Sequence, residues 1–203
     1  MADLVLGLTT HVFETLDSFI QAVNITAGED KWYIAGGCAA WLQIDAYANK
    51  ETKDYAAFNV QIAPGDIEGG VSEAGATALH ERYGEMKVRV NERVLDVSLY
   101  AKPAEQLQAQ VDLCVHFLLN TNPILLISPR NLITAYSTSS NPDKQEKRQL
   151  RVAIMTLMTR YQRITKESVG DVLNSAKPSI GQSLSVGLGG LGAFKLKHVD
   201  QNK

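Results

Sequence analysis

The stretch WYIAGGCAAWLQ, Trp32 to Gln43, decides how this chain is read. Trp32, Tyr33, Ile34 and Ala35 form a short apolar run that predicts a strand, and Gly36-Gly37 closes it. The continuation CAAWLQIDAYANK carries Ala39, Leu42 and Ala46 at helical spacing, so a helix begins at the glycines. Strand, glycine turn and helix in that order leave backbone N–H groups pointing outward. Glycine adds no side chain to keep a ligand away, and a helix N-terminus favours negative charge.

Working outward, THVFETLDSFIQAV spaces Val12, Leu16, Phe19, Ile20 and Val23 as one helix with Thr9 or Thr10 as cap, and NITAGED stops it. On the other side, YAAFNVQIAPG predicts a β-rich run ended by Pro64-Gly65. GDIEGGVSEAGATALHERYG begins with loop composition and continues as a short helix through Ala76, Leu79, His80 and Tyr83. EMKVRVNERVLDVSLY holds two alternating runs about Asn91-Glu92 and predicts a hairpin. In its second run Leu95, Val97 and Leu99 share one face, which leaves Asp96 with Val94 and Ser98 on the face toward a cleft.

After Pro103 the character changes. AEQLQAQVDLCVHFLLN predicts a helix, NPILLISP a short buried strand or extended turn, and RNLITAYSTS a helix after Pro129. NPDKQEKRQLRVAIMTLMTRYQRIT predicts a turn and then a long helix with Leu150, Ile154, Leu157, Met158 and Tyr161 on one side. The expected organisation is an α/β (α+β) domain over 1–103, a helical portion over 104–175 and a flexible Gly/Ser-rich tail over 176–203 suited to threading onto a protein partner. Glycines 187, 189, 190 and 192 follow no strand and open no helix, which argues against a dinucleotide or phosphate loop there.

With 203 residues, 45 % of them hydrophobic, the chain can bury a substantial core. A formal charge of −2 gives no global basic field for sequence-independent nucleic-acid binding. Cys38 and Cys114 lie in apolar runs and read as reduced core thiols. No stretch has the pattern of a secretion signal or approaches a membrane span, so a cytoplasmic protein is expected. His11, His80, His116 and His198 have no ligand spacing with one another or with the cysteines, which argues against zinc.

Three features stand in chain order: Gly36-Gly37 opening a helix, Asp54 at the head of the next run, and Asp96 within the hairpin. Carboxylates on neighbouring strands beneath a glycine turn suit Mg²⁺, which takes one or two carboxylates plus phosphate oxygens and water. Each feature has a structural alternative, since an Asp before a strand caps turns and one in a hairpin can face solvent. Lys144, Lys147, Arg148 and Arg151 form a basic cluster within reach of a triphosphate in this reading; a solvated helix start, mixed with Asp143 and Glu146, is the competing account. Lys53, beside Asp54, has the same two readings.

These motifs resemble the nucleotidyltransferase superfamily to which DNA polymerase beta belongs, in particular its small bacterial and viral members, including the nucleotidyltransferase toxins. IAGGCAAWLQ is similar to the glycine step, TKDYA to the Asp-x-Asp step and VLDVSLY to the third carboxylate. The resemblance spans Trp32 to Tyr100 and implies Mg²⁺ held by Asp54 and Asp96 as catalytic groups. It also implies an NTP, such as ATP, bound by Gly36, Gly37, Cys38, Lys53, Lys147 and Arg151, and nucleotidyl transfer to a hydroxyl or phosphate on a protein or RNA acceptor. Two departures accompany it: Ala56 stands where the family has its second metal-binding Asp, and Cys38 where a small residue is common. Two readings therefore stay open, an impaired enzyme or a non-catalytic pseudoenzyme of the same fold serving as an interaction or structural module.

Overall fold

The computed structural model describes residues 9–47, 62–138, 147–149, 151–152 and 155–156. Two compact units divide the chain, Met1–Ala39 with Ala63–Ser128 and Ala40–Ile62 with Pro129–Lys203.

The first unit is built on a seven-stranded mixed sheet in the order β1-β4-β5-β3-β2-β7-β6. Its strands are β1 (Thr10–Phe13), β2 (Trp32–Ala35), β3 (Ile67–Ser72), β4 (Glu85–Val90), β5 (Arg93–Lys102), β6 (Cys114–Leu119) and β7 (Asn122–Ile127). Helices α1 (Leu16–Ala27), α2 (Gly36–Tyr47), α3 (Glu73–Tyr83) and α4 (Ala104–Val111) connect them, and α2 runs on into the second unit. The strand, glycine turn and helix around Gly36 form as expected, and so does the β4–β5 hairpin. Asn91 turns that hairpin at φ 55° and Asn120 turns the β6–β7 hairpin at φ 52°, because the short Asn side chain tolerates the left-handed region.

Alternation along each strand sorts the sheet into two faces. Phe13, Trp32, Ile34, Ile67, Val71, Val88 and Leu95 are buried on one face, where α1 contributes Phe19, Ile20 and Val23 and α3 contributes Leu79. Trp32 stands edge-on to Phe19 with ring centroids 5.7 Å apart. Its indole N–H donates to Asn24 Oδ1 at 2.7 Å, while Asn24 Nδ2 donates to the Pro123 carbonyl at 2.8 Å. One asparagine thereby ties α1 to β2 and β7.

Three sequence expectations change. The run from Val12 to Val23 is not one helix: Thr10–Phe13 is strand β1, and α1 starts after Thr15, whose hydroxyl accepts from Ser18 N in a capping box. The expected helix after Pro103 ends at Val111, and Cys114–Leu119 is a strand paired with β7. Residues 104–128 fall in the first unit with the sheet. IEGGVS, expected as loop, is strand β3, the second neighbour of β2. Tertiary pairing outweighs local preference in all three segments, because each of them hydrogen-bonds to a neighbouring strand.

In the second unit, α2 continues to Tyr47 and α5 (Pro129–Thr138) begins at Pro129 as expected. Residues 147–149, 151–152 and 155–156 are helical, and Ile62, Leu132 and Met155 are buried. Among the described residues, no helix is long and apolar enough to cross a membrane.

Candidate functional site

The second face of the sheet collects the polar chemistry of the first unit. Pairing places Ala35 beside Glu68 and Glu68 beside Ser98, then Tyr33 beside Gly70 and Gly70 beside Tyr100. Lys87 of β4 lies opposite Asp96 of β5. Asp66 lies in the bend just before β3, whose parallel ladder with β5 starts at Ile67 and Val97. Since paired residues point to the same side and alternate residues share a face, Glu68, Ser98 and Asp96 occupy one face, beside Ala35 at the glycine turn.

Gly36 shapes this corner. Its φ is +57°, and a side chain there would begin 3.1 Å from Glu68 Oε2. The Glu68 carboxylate thus lies against the backbone that opens α2, a cradle that any larger residue would fill. Behind it, Gly70 leaves room for Tyr33: a Cβ on Gly70 would come within 2.5 Å of the Tyr33 ring. Burial pushes the Tyr33 hydroxyl above its ordinary pKa, with nearby Cys114 adding to the effect, so Tyr33 stays neutral.

Asp66 and Glu68 are half-buried, and among the described residues neither has a hydrogen-bond or ion-pair partner. Asp96 differs. Its side chain is 75 % exposed, and Oδ1 lies 2.8 Å from Lys87 Nζ. That hydrogen bond, followed by the charges of Asp96 and Glu85, raises the Lys87 ammonium pKa above its usual value and keeps it protonated.

The donors have the chemistry of a hard-cation site, carboxylate oxygens on one face beside a glycine cradle. Their convergence is incomplete: among the described residues no three His, Cys, Asp or Glu side chains come together as a metal-binding group. As placed they form no three-carboxylate set for Mg²⁺, so an ion at Asp66 and Glu68 would have to take most of its oxygens from phosphate and water.

No protein-family model and no curated protein matches this chain. Among solved structures it is similar to the crystal structure of an antigenic nucleotidyltransferase-like protein from Paracoccidioides brasiliensis, at 11 % identity and a TM-score of 0.43, over 85 % of this chain and 94 % of that one. A likeness at that level lends no residue to the site, which stands on its own geometry.

Of the residues singled out from sequence, the fold brings Gly36, Gly37 and Asp96 to this corner of the sheet. Cys38 is fully buried in the first turn of α2, so its thiol belongs to the core. Arg151 is 7 % exposed, and its Nε and Nη2 donate to the Ile62 carbonyl at 3.1 and 2.7 Å. It is a structural tie within the second unit. Lys147 is exposed, and Arg148 lies over the Tyr136 ring at 5.8 Å. Asp54, Ala56 and Lys53 lie outside the described residues, as does the Gly-rich tail.

Asp66 and Glu68 escaped the sequence reading because Gly65, Gly69 and Gly70 surround them with loop composition. The available signal was Asp-Ile-Glu itself: carboxylates two residues apart share a face of a strand, and this pair lies between the glycine-turn helix and the hairpin carrying Asp96.

Proposed function

We propose that the open face of the sheet is the metal-and-nucleotide site of a nucleotidyltransferase-like protein. The observation that carries this reading is Glu68 on one face with Ser98 and Asp96, its carboxylate against the Gly36 turn and Asp66 in the bend that precedes it. In this assignment the Asp-x-Asp step of the superfamily is Asp66-Ile67-Glu68, with Glu in second place, and the third carboxylate is Asp96. The role first given to Asp54, and the apparent loss at Ala56, then fall away.

Asp66 and Glu68 would hold Mg²⁺, which when bound would neutralise the triphosphate and polarise its α-phosphorus. The N–H groups at the start of α2 receive phosphate oxygens. In this reading the exposed Asp96 carboxylate would accept the proton of the acceptor hydroxyl as its oxygen bonds to the α-phosphorus and pyrophosphate leaves. Tyr100, 58 % exposed on the same face, offers a ring for stacking a base or an acceptor group. The acceptor is a hydroxyl or phosphate group of a protein or RNA.

Calorimetric titration of the four NTPs with Mg²⁺ into the protein and into the double variant Asp66→Asn with Glu68→Gln tests the assignment. Metal-dependent binding by the parent that the variant loses supports it. Equal binding by both removes these two carboxylates from the site. The second reading, a non-catalytic module, is favoured by the Lys87–Asp96 ion pair, which satisfies the third carboxylate without any metal.

A further inference from the structure

We draw no further inference here: the strongest candidate, the cavity between the end of α1 and the starts of α3 and α4, rests on a helix N-terminus and on Lys31 and Lys102, whose charge Asp30 and Glu73 in the same lining offset, while the unpartnered Thr26 Oγ1 is closed to solvent and points to no ligand.

Discussion

Glu68 Oε2 lies 3.1 Å from the point where a side chain on Gly36 would begin. This contact couples the glycine turn at the end of β2 to the carboxylate strand β3, and it makes Gly36 a test of both fold and site. A left-handed conformation costs a non-glycine residue about 1–2 kcal/mol, before any crowding of Glu68. Gly36→Ala should lower stability by about that amount in denaturant titration and weaken Mg²⁺-dependent nucleotide binding. Gly65→Ala, with nothing within 4 Å of its new Cβ, is the matched control and should change neither.

The reassignment of the paired carboxylates makes a second test sharp. Ala56→Asp restores the pattern first read from TKDYA, whereas the site proposed on β3 is already furnished. Ala56→Asp and Asp54→Asn should both leave nucleotide affinity within about twofold of the parent, measured calorimetrically. A large gain for Ala56→Asp would return the site to residues 54–56.

Asn24 should matter for stability alone. Asn24→Ala leaves the Trp32 indole N–H and the Pro123 carbonyl without their shared partner in a part-buried position. Each unsatisfied group costs about 1–3 kcal/mol when fully buried, so with both only part-buried a combined loss of about 2–4 kcal/mol is expected in chemical unfolding. Asn24→Asp keeps the acceptor for Trp32 and loses the donor to Pro123, and should fall between the two.

Arg151 separates a structural arginine from a phosphate ligand. Its two hydrogen bonds to the Ile62 carbonyl are buried, so Arg151→Met should destabilise the fold by about 2–3 kcal/mol. Nucleotide affinity, measured well below the new melting temperature, should be unchanged.

The thiols carry a pH signature. Burial pushes Cys114 up to about 12 from 9.0, and its Sγ–H donates to the Gln110 carbonyl at 3.2 Å. A thiol whose folded pKa is raised loses stabilisation as pH rises, because the unfolded chain releases its proton first. The contribution from Cys114 should be complete below pH 9 and decline between about 9 and 12. At neutral pH a thiol reagent should modify Cys114 slowly and buried Cys38 more slowly still, and both rapidly after denaturation.

Sequence and structure part company at identifiable residues. Trp32 to Tyr47 reads correctly because the apolar run, the double glycine and the helical spacing are all local signals. The same holds for the β4–β5 hairpin about Asn91 and for Asp96 on its open face, since Leu95, Val97 and Leu99 fix the alternation. Val12 misled because one strand residue fell by chance into phase with α1, and the true cap, Thr15, lies inside the run. Cys114 to Leu119 misled because an apolar segment suits helix or strand equally until β7 offers its edge.

By itself the sequence determined the glycine turn, the strand and helix on either side of it, and the face that Asp96 occupies, because each depends on neighbours within a few residues. Only the tertiary structure decided that Ile67–Ser72 is a strand. Gly69 and Gly70 depress its local preference for extended structure, and hydrogen bonds from β2 on one side and β5 on the other supply what the segment lacks. That pairing places Glu68 against Gly36 and beside Ser98, relations between residues about 30 apart in sequence that no local pattern encodes.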